Sequence, residues 1–146
     1  MADRKSFINN AFRPEAVGVE QVLGSLQAVI MECLWEQGPQ SPAELHKLLS
    51  AKQEIAYTTV FTELSRLSKK GAVRKKARQS QKRYEATASK ETFISSMVSQ
   101  VLGGLIDAHG AAAIHGFVDI VADDAGAFEQ LSRLVSAKRK RRRLAP

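Results

Sequence analysis

Apolar residues recur at three- and four-residue steps over residues 25–36, where Leu26, Val29, Ile30, Cys33 and Leu34 would line one side of a helix. Gly38-Pro39 stops it. Ser41-Pro42-Ala43-Glu44 then carries the marks of a new helix start: an N-cap serine, a proline at the first helical position and a glutamate placed for a capping box. This second helix would turn Leu45, Leu48 and Leu49 inward and end near Lys52. The same period predicts a third helix over residues 57–70, ending before Gly71, with Val60, Leu64 and Leu67 inward and Tyr57 and Phe61 on the flanks.

After Gly71 the period changes. Residues 72–76 and 83–87 read as short strands, with residues 77–82 as a long basic tip between them, which makes a hairpin. From Lys90 the pattern is helical again. Phe93, Ile94, Met97, Val98, Val101, Leu102, Leu105 and Ile106 form an apolar surface too wide for a helix with a single neighbour. Shorter helical segments follow over residues 111–121 and from 125 to about 138, separated by Ala122-Asp123-Asp124. Residues 1–22 show no sustained periodicity and are expected to form a flexible N-terminal arm. The order is mainly α with a small β-hairpin: a winged helix-turn-helix domain over 23–88, a helical dimerisation region over 89–137 and a basic disordered tail over 138–146.

Charge sharpens this picture. The chain has 146 residues, with 22 Lys and Arg against 15 Asp and Glu, for a formal charge of +7. Nine basic residues and no acid lie between Leu64 and Tyr84, and six more run unbroken from Lys138 to Arg143. Everything outside those two segments is therefore net acidic, and a focused positive field on an acidic body most commonly meets a phosphate backbone. On the third helix the polar face holds Thr58, Thr62, Ser65, Arg66 and Lys69, with Thr59 and Lys70 at its edge and Glu63 near the boundary. Such a face suits a major groove, because arginine bonds guanine with two hydrogen bonds, hydroxyls bond bases or phosphates, and threonine methyls pack on thymine. Lys69 and Lys70 are placed for phosphate, as are Arg78, Lys82 and Arg83 on the hairpin. Ser41 opens a helix N-terminus able to clamp one phosphate. A polar basic helix face is usually only a solvated one; the adjacent basic hairpin is what favours duplex DNA. For the 138–143 run, a solvated tail and a sequence-independent attraction to DNA stand level.

Other chemistry is scarce. Cys33 on the apolar stripe reads as a structural thiol, and one cysteine excludes an internal disulfide. His109 and His115 are six apart and no further ligand completes a set, so no metal and no cofactor are expected. No phosphate loop and no nucleophile with a plausible base is found, so no enzyme is expected. With no membrane-length apolar stretch and no signal-peptide core, a cytoplasmic protein is expected.

Leu23-Gly24-Ser25-Leu26-Gln27-Ala28-Val29-Ile30-Met31-Glu32-Cys33-Leu34-Trp35, then Ile55-Ala56-Tyr57-Thr58-Thr59-Val60 with Thr62, Leu64, Arg66-Leu67 and Lys70-Gly71, and finally Arg83-Tyr84-Glu85-Ala86 resemble the penicillinase-repressor family. The resemblance implies a bacterial homodimeric repressor that binds inverted-repeat operators in double-stranded DNA. Thr58, Thr59, Thr62 and Arg66 would face the groove, with Tyr57 beside them. The helical region would dimerise the protein, through Phe93, Met97, Val98, Val101, Leu102, Leu105, Ile106 and Phe117. Two features depart from the family. Its penicillinase branch is cut at an Asn-Phe bond by a sensor-linked protease, and the counterpart here is Gly116-Phe117, which leaves any upstream sensor protease unknown. Its copper branch carries a Cys-x-Cys site, and no cysteine follows Cys33 here. A sequence-independent architectural DNA-binding protein and a winged-helix protein–protein adaptor are the competing readings.

Overall fold

A computed structural model gives the protein's fold and describes residues 18–21, 23–78 and 81–145. A short 3-10 helix, Gly18–Gln21, is followed by α1 (Ser25–Gln37), α2 (Pro42–Ser50), α3 (Tyr57–Lys69), β1 (Val73–Arg78), β2 (Gln81–Ala86), α4 (Lys90–His109), α5 (Ala111–Ala122) and α6 (Ala125–Leu144). The chain forms two compact units, the first ending at Gln100 and the second starting at Val101. The fold class is the expected one, a winged helix-turn-helix followed by helices.

In the first unit Ile30, Met31, Leu34, Leu45, Leu49, Val60, Leu64 and Leu67 form the centre of the core. The buried arc of α1 is turned from the sequence stripe. Gln27, Ala28 and Met31 are covered, whereas Leu26, Val29 and Cys33 are half-buried. A buried glutamine is tolerated on that arc because its amide nitrogen and oxygen each have a partner, as described below. Leu48 also departs from expectation, at 40% exposed, since α2 buries only Leu45 and Leu49 against its neighbours. Residues 18–21 of the expected arm are a helical turn whose Val19 is buried and whose carbonyl accepts from Leu23 N–H at 3.0 Å. The rest of the arm, residues 1–17 and 22, lies outside the described residues.

The end of α3 sets the direction of the hairpin. Gly71 adopts φ 78°, a left-handed conformation that an L side chain disfavours. Gly71 N–H donates to Ser68 C=O and Ala72 N–H to Leu67 C=O, both at 3.0 Å, which closes the helix and sends the chain into β1. β1 and β2 pair antiparallel from Val73↔Ala86 to Arg78↔Gln81. The expected six-residue tip is therefore too long: the strands absorb residues 77, 78, 81 and 82, since ladder hydrogen bonds continue through them. Only Gln79 and Ser80 separate the strands, and they lie outside the described residues. Gln40, in the α1–α2 connection, pairs with Tyr84 through two backbone bonds of 3.0 and 2.8 Å, adding a one-residue third strand.

The start of α4 is anchored to the first unit. Trp35 Nε1–H donates to Ala88 C=O at 3.0 Å, the Trp35 and Phe93 rings lie 5.4 Å apart, and Lys90 pairs with Glu32 at 2.8 Å. In the second unit α5 and α6 pack on each other, but neither buries a single residue. Asp123 and Asp124 mark the break between them, as expected, and the Asp124 carboxylate caps α6 by accepting from Ala127 N–H at 3.0 Å. The expected disordered tail is replaced by helix to Leu144. Lysine, arginine, alanine and leucine are good helix formers, and cations are favoured beside the exposed carbonyls of a helix C-terminus.

Candidate nucleic-acid interface

The α2–α3 pair is built from its turn outward. Ser41 and Glu44 complete the capping box: Glu44 N–H donates to Ser41 Oγ at 3.1 Å and Ser41 N–H to Glu44 Oε2 at 2.9 Å. This occupies the donors that the sequence offered to a phosphate at Ser41 and sets a carboxylate in their place. Pro42 has no N–H, so within the first turn of α2 only Ala43 N–H has no partner among the described residues. The α2–α3 loop is held by His46, whose Nε2 lies 2.8 Å from Ile55 C=O; a carbonyl only accepts, so Nε2–H donates. The same ring meets Tyr57 edge-on at 5.8 Å and fixes it at the start of α3. Nothing in the sequence spacing marks His46, because this role exists only once the loop folds back.

On α3, Thr58, Thr59, Thr62, Arg66 and Lys69 are exposed together, and Tyr57 and Phe61 are each 46% exposed. Thr62 Oγ1–H donates to Thr58 C=O at 2.8 Å, which leaves its lone pairs and methyl outward. Arg66 Nη1–H donates to Glu63 Oε1 at 2.6 Å. Glu63 is itself held, because Gln27 Nε2–H donates to its other oxygen at 2.7 Å, and Gln27 Oε1 accepts from Lys70 Nζ at 2.9 Å. A four-residue relay thus ties α1 to α3. Lys70 belongs to this relay rather than to the free phosphate-facing set that the sequence suggested, and burial, opposed by the nearby Glu63 charge, lowers its pKa.

The hairpin register sorts its charges by face, since successive side chains alternate. Val73 and Tyr84 are buried at the base, with Lys75 and the exposed Lys82 farther along that face. Arg74, Lys76, Arg83 and Glu85 share the other face. Glu85 accepts from Arg74 at 2.6 Å and from Lys76 at 3.2 Å, and these two bonds, Arg74 first, hold its carboxyl below the usual carboxylate range. Arg83 donates to Glu44 at 3.0 Å and to Pro39 C=O at 3.4 Å, locking the wing to the start of α2. Lys69 and Lys82 have no acidic partner among the described residues. Arg78 ends β1, and its side chain lies outside the described set. The sequence reading gave none of the acids a basic partner: Glu44, Glu63 and Glu85 each hold an arginine of the basic segment, and for Glu44 and Glu85 partners 39 and 11 residues away leave no local mark.

The residues expected at a dimer face divide. Phe93 is 2% and Met97 5% exposed, covered within the first unit, so both are core rather than free surface. Val98, Leu102, Leu105, Ile106 and Phe117 are exposed and Val101 is half-buried. Within the second unit, Leu102, Leu105, Ile106 and Phe117 line an apolar groove of about 520 Å³. Burial pushes the half-buried Cys33 thiol up, which keeps it protonated and inert.

A short helix, a turn, a second helix presenting hydroxyls and arginine on its exposed face, and a basic hairpin define a winged helix-turn-helix protein. The chain belongs to the penicillinase repressor family, whose model matches residues 23–137. It is 32% identical over 111 residues to the transcriptional regulator BlaI of Mycobacterium tuberculosis, in both strain CDC 1551 / Oshkosh and strain ATCC 25618 / H37Rv, an alignment covering 74% of this chain and 80% of each relative.

Proposed function

We propose that this chain is a DNA-binding transcriptional repressor that acts as a cytoplasmic homodimer on inverted-repeat operators. The observation that carries the reading is the α3 face, on which Thr58, Thr59, Thr62 and Arg66 stand exposed side by side. Thr58, Thr62 and Arg66 offer the groove methyls, hydroxyl oxygens and a guanidinium, which are the groups that read base edges. Lys69 and Lys82 supply unpaired charge for phosphates, and Arg83 holds the wing against α2. Homodimerisation is supported by α5 and α6, which bury nothing within one chain and expose Ile114, Phe117, Ile120, Phe128 and Leu134. Two copies related by a two-fold axis would read two half-sites about one helical turn apart. Gly116-Phe117 lies inside α5 and lacks the Asn of the family's cleaved bond, which argues against cleavage there as the inducing step.

Gel-shift titrations on specific and scrambled duplexes test the reading. Arg66→Ala is expected to relax operator discrimination by about 1–3 kcal/mol, while Lys82→Ala weakens all DNA about equally and flattens the salt dependence by about one counterion. Equal loss on both duplexes for Arg66→Ala would sink the groove assignment and favour an architectural DNA-binding protein.

A further inference from the structure

The six residues Lys138, Arg139, Lys140, Arg141, Arg142 and Arg143 are the densest charge in the chain, and they lie beyond the 23–137 stretch that the family model matches. They form the last turns of α6, and all six are exposed. None has an acidic partner among the described residues, and Glu129 is the only acid in the helix.

Helical geometry decides what such a segment fits. Six consecutive side chains sweep about 500° around the axis, so positive charge surrounds the helix completely. An interfacial membrane helix needs an apolar face opposite its cations, and this segment has none. A flat anionic surface would meet only half of the charge. The major groove of a duplex is walled by two phosphate strands and meets charge on both flanks of a helix at once. Like charges stacked at three- and four-residue steps also repel each other along α6. The exposed carbonyls at the helix end offset this in part, and phosphates would offset far more. The run holds four arginines, which can read guanine as well as bind phosphate, but its six cations surround the helix and cannot all face base edges at once, so the set is built for attraction more than for reading bases.

Resting on the DNA reading above, we propose that the basic end of α6 is a second, sequence-independent contact to duplex DNA, in which a cationic helix engages phosphates while α3 reads bases. It adds affinity to every duplex and leaves the choice of sequence to α3.

The test compares the full chain with a variant in which all six are glutamine, a residue that forms helix as well as lysine does, and with a variant in which all six are lysine. Fluorescence anisotropy follows binding across a salt series to two probes: a duplex selected from a random pool by the full chain, and a scrambled duplex of the same composition. On the scrambled duplex the glutamine variant should lose roughly tenfold or more in affinity, and its slope of log K against log salt should flatten by about 4 per chain. Its preference for the selected duplex should stay within about twofold of the parent's, since position and sequence are carried by separate contacts. The lysine variant should match the parent. Unchanged affinity and slope in the glutamine variant would overturn the proposal. So would loss of preference with scrambled binding intact, or loss of binding to phosphatidylserine vesicles with both duplex affinities intact. A parent that prefers neither duplex would refute the operator reading instead, and the scrambled-duplex slope would still decide this one.

Discussion

Arg66, the residue proposed for the groove, is paired with Glu63, and the strength of that pair sets how far it restrains the side chain. The arginine side chain is 62% exposed, and the pair spans three residues on one helix. A surface ion pair of this kind contributes about 0.2–1 kcal/mol, so Glu63 moderates Arg66 without blocking it. Glu63→Gln keeps an acceptor for Gln27 and removes the charge. Duplex affinity should then rise by up to about fivefold, the factor equivalent to 1 kcal/mol, as read by anisotropy on operator and scrambled DNA; an unchanged or weaker affinity would show that Glu63 does not restrain Arg66. Glu85 plays a similar part on the wing, where Arg74 and Lys76 depress its pKa. A depressed carboxylate contributes stability above its unfolded pKa and loses it as pH falls through the folded value. The difference in melting temperature between the parent and Glu85→Gln should be largest near neutral pH and vanish in acid. A difference independent of pH would mean that packing, and not charge, is what Glu85 supplies.

Two helix ends place the proposed interface, and each rests on one residue. Ser41 caps α2 and also, through Glu44, positions the carboxylate that holds Arg83. Ser41→Ala should cost about 1 kcal/mol of unfolding free energy, measured by urea titration. Ser41→Ala frees the Glu44 N–H but leaves the Glu44 carboxylate at the helix start, so the salt dependence of DNA binding should stay as in the parent; a slope steepened by about one counterion would restore the α2 N-terminus as a phosphate clamp. At the other end, Gly71 turns the chain from α3 into the wing with φ 78°. Gly71→Ala should destabilise by about 1–2 kcal/mol, the cost of forcing a Cβ into that conformation.

At the scale of the whole molecule, the two units are built on different terms. The first closes its own core, from Val19 to Met97. The second buries nothing in α5 or α6 and leaves Leu102, Leu105, Ile106 and Phe117 around an open apolar groove. Surface of that kind is expected to be covered by a second copy. Leu105→Asp with Phe117→Asp should give monomers in light scattering while leaving the first unit's melting transition in place. Operator affinity should fall by about 100-fold or more, as two half-sites lose their linkage. Dimers that persist in the double variant would move the association surface elsewhere. Met97→Asp makes the contrast: it should unfold the first unit, because Met97 belongs to that core.

Element order, the capping box at Ser41, the inward set of α3 and the exposed Thr/Arg face were all legible in the sequence, because helical period, cap chemistry and a glycine stop act between near neighbours. The same local rules misplaced Leu48 and the buried arc of α1, since which side of a helix is covered depends on how many neighbours pack on it. They assigned Phe93 and Met97 to a partner, because an apolar stripe does not say whether Trp35, 58 residues earlier than Phe93, already covers it. They counted Lys70 and Arg83 as free, because Gln27 and Glu44 come near only in the folded chain. Composition and periodicity thus determined the elements, the basic field and the exposed Thr/Arg face of α3. Tertiary structure decided which charges are spent inside the molecule and which are left for a partner, because that depends on contacts between residues far apart in the chain.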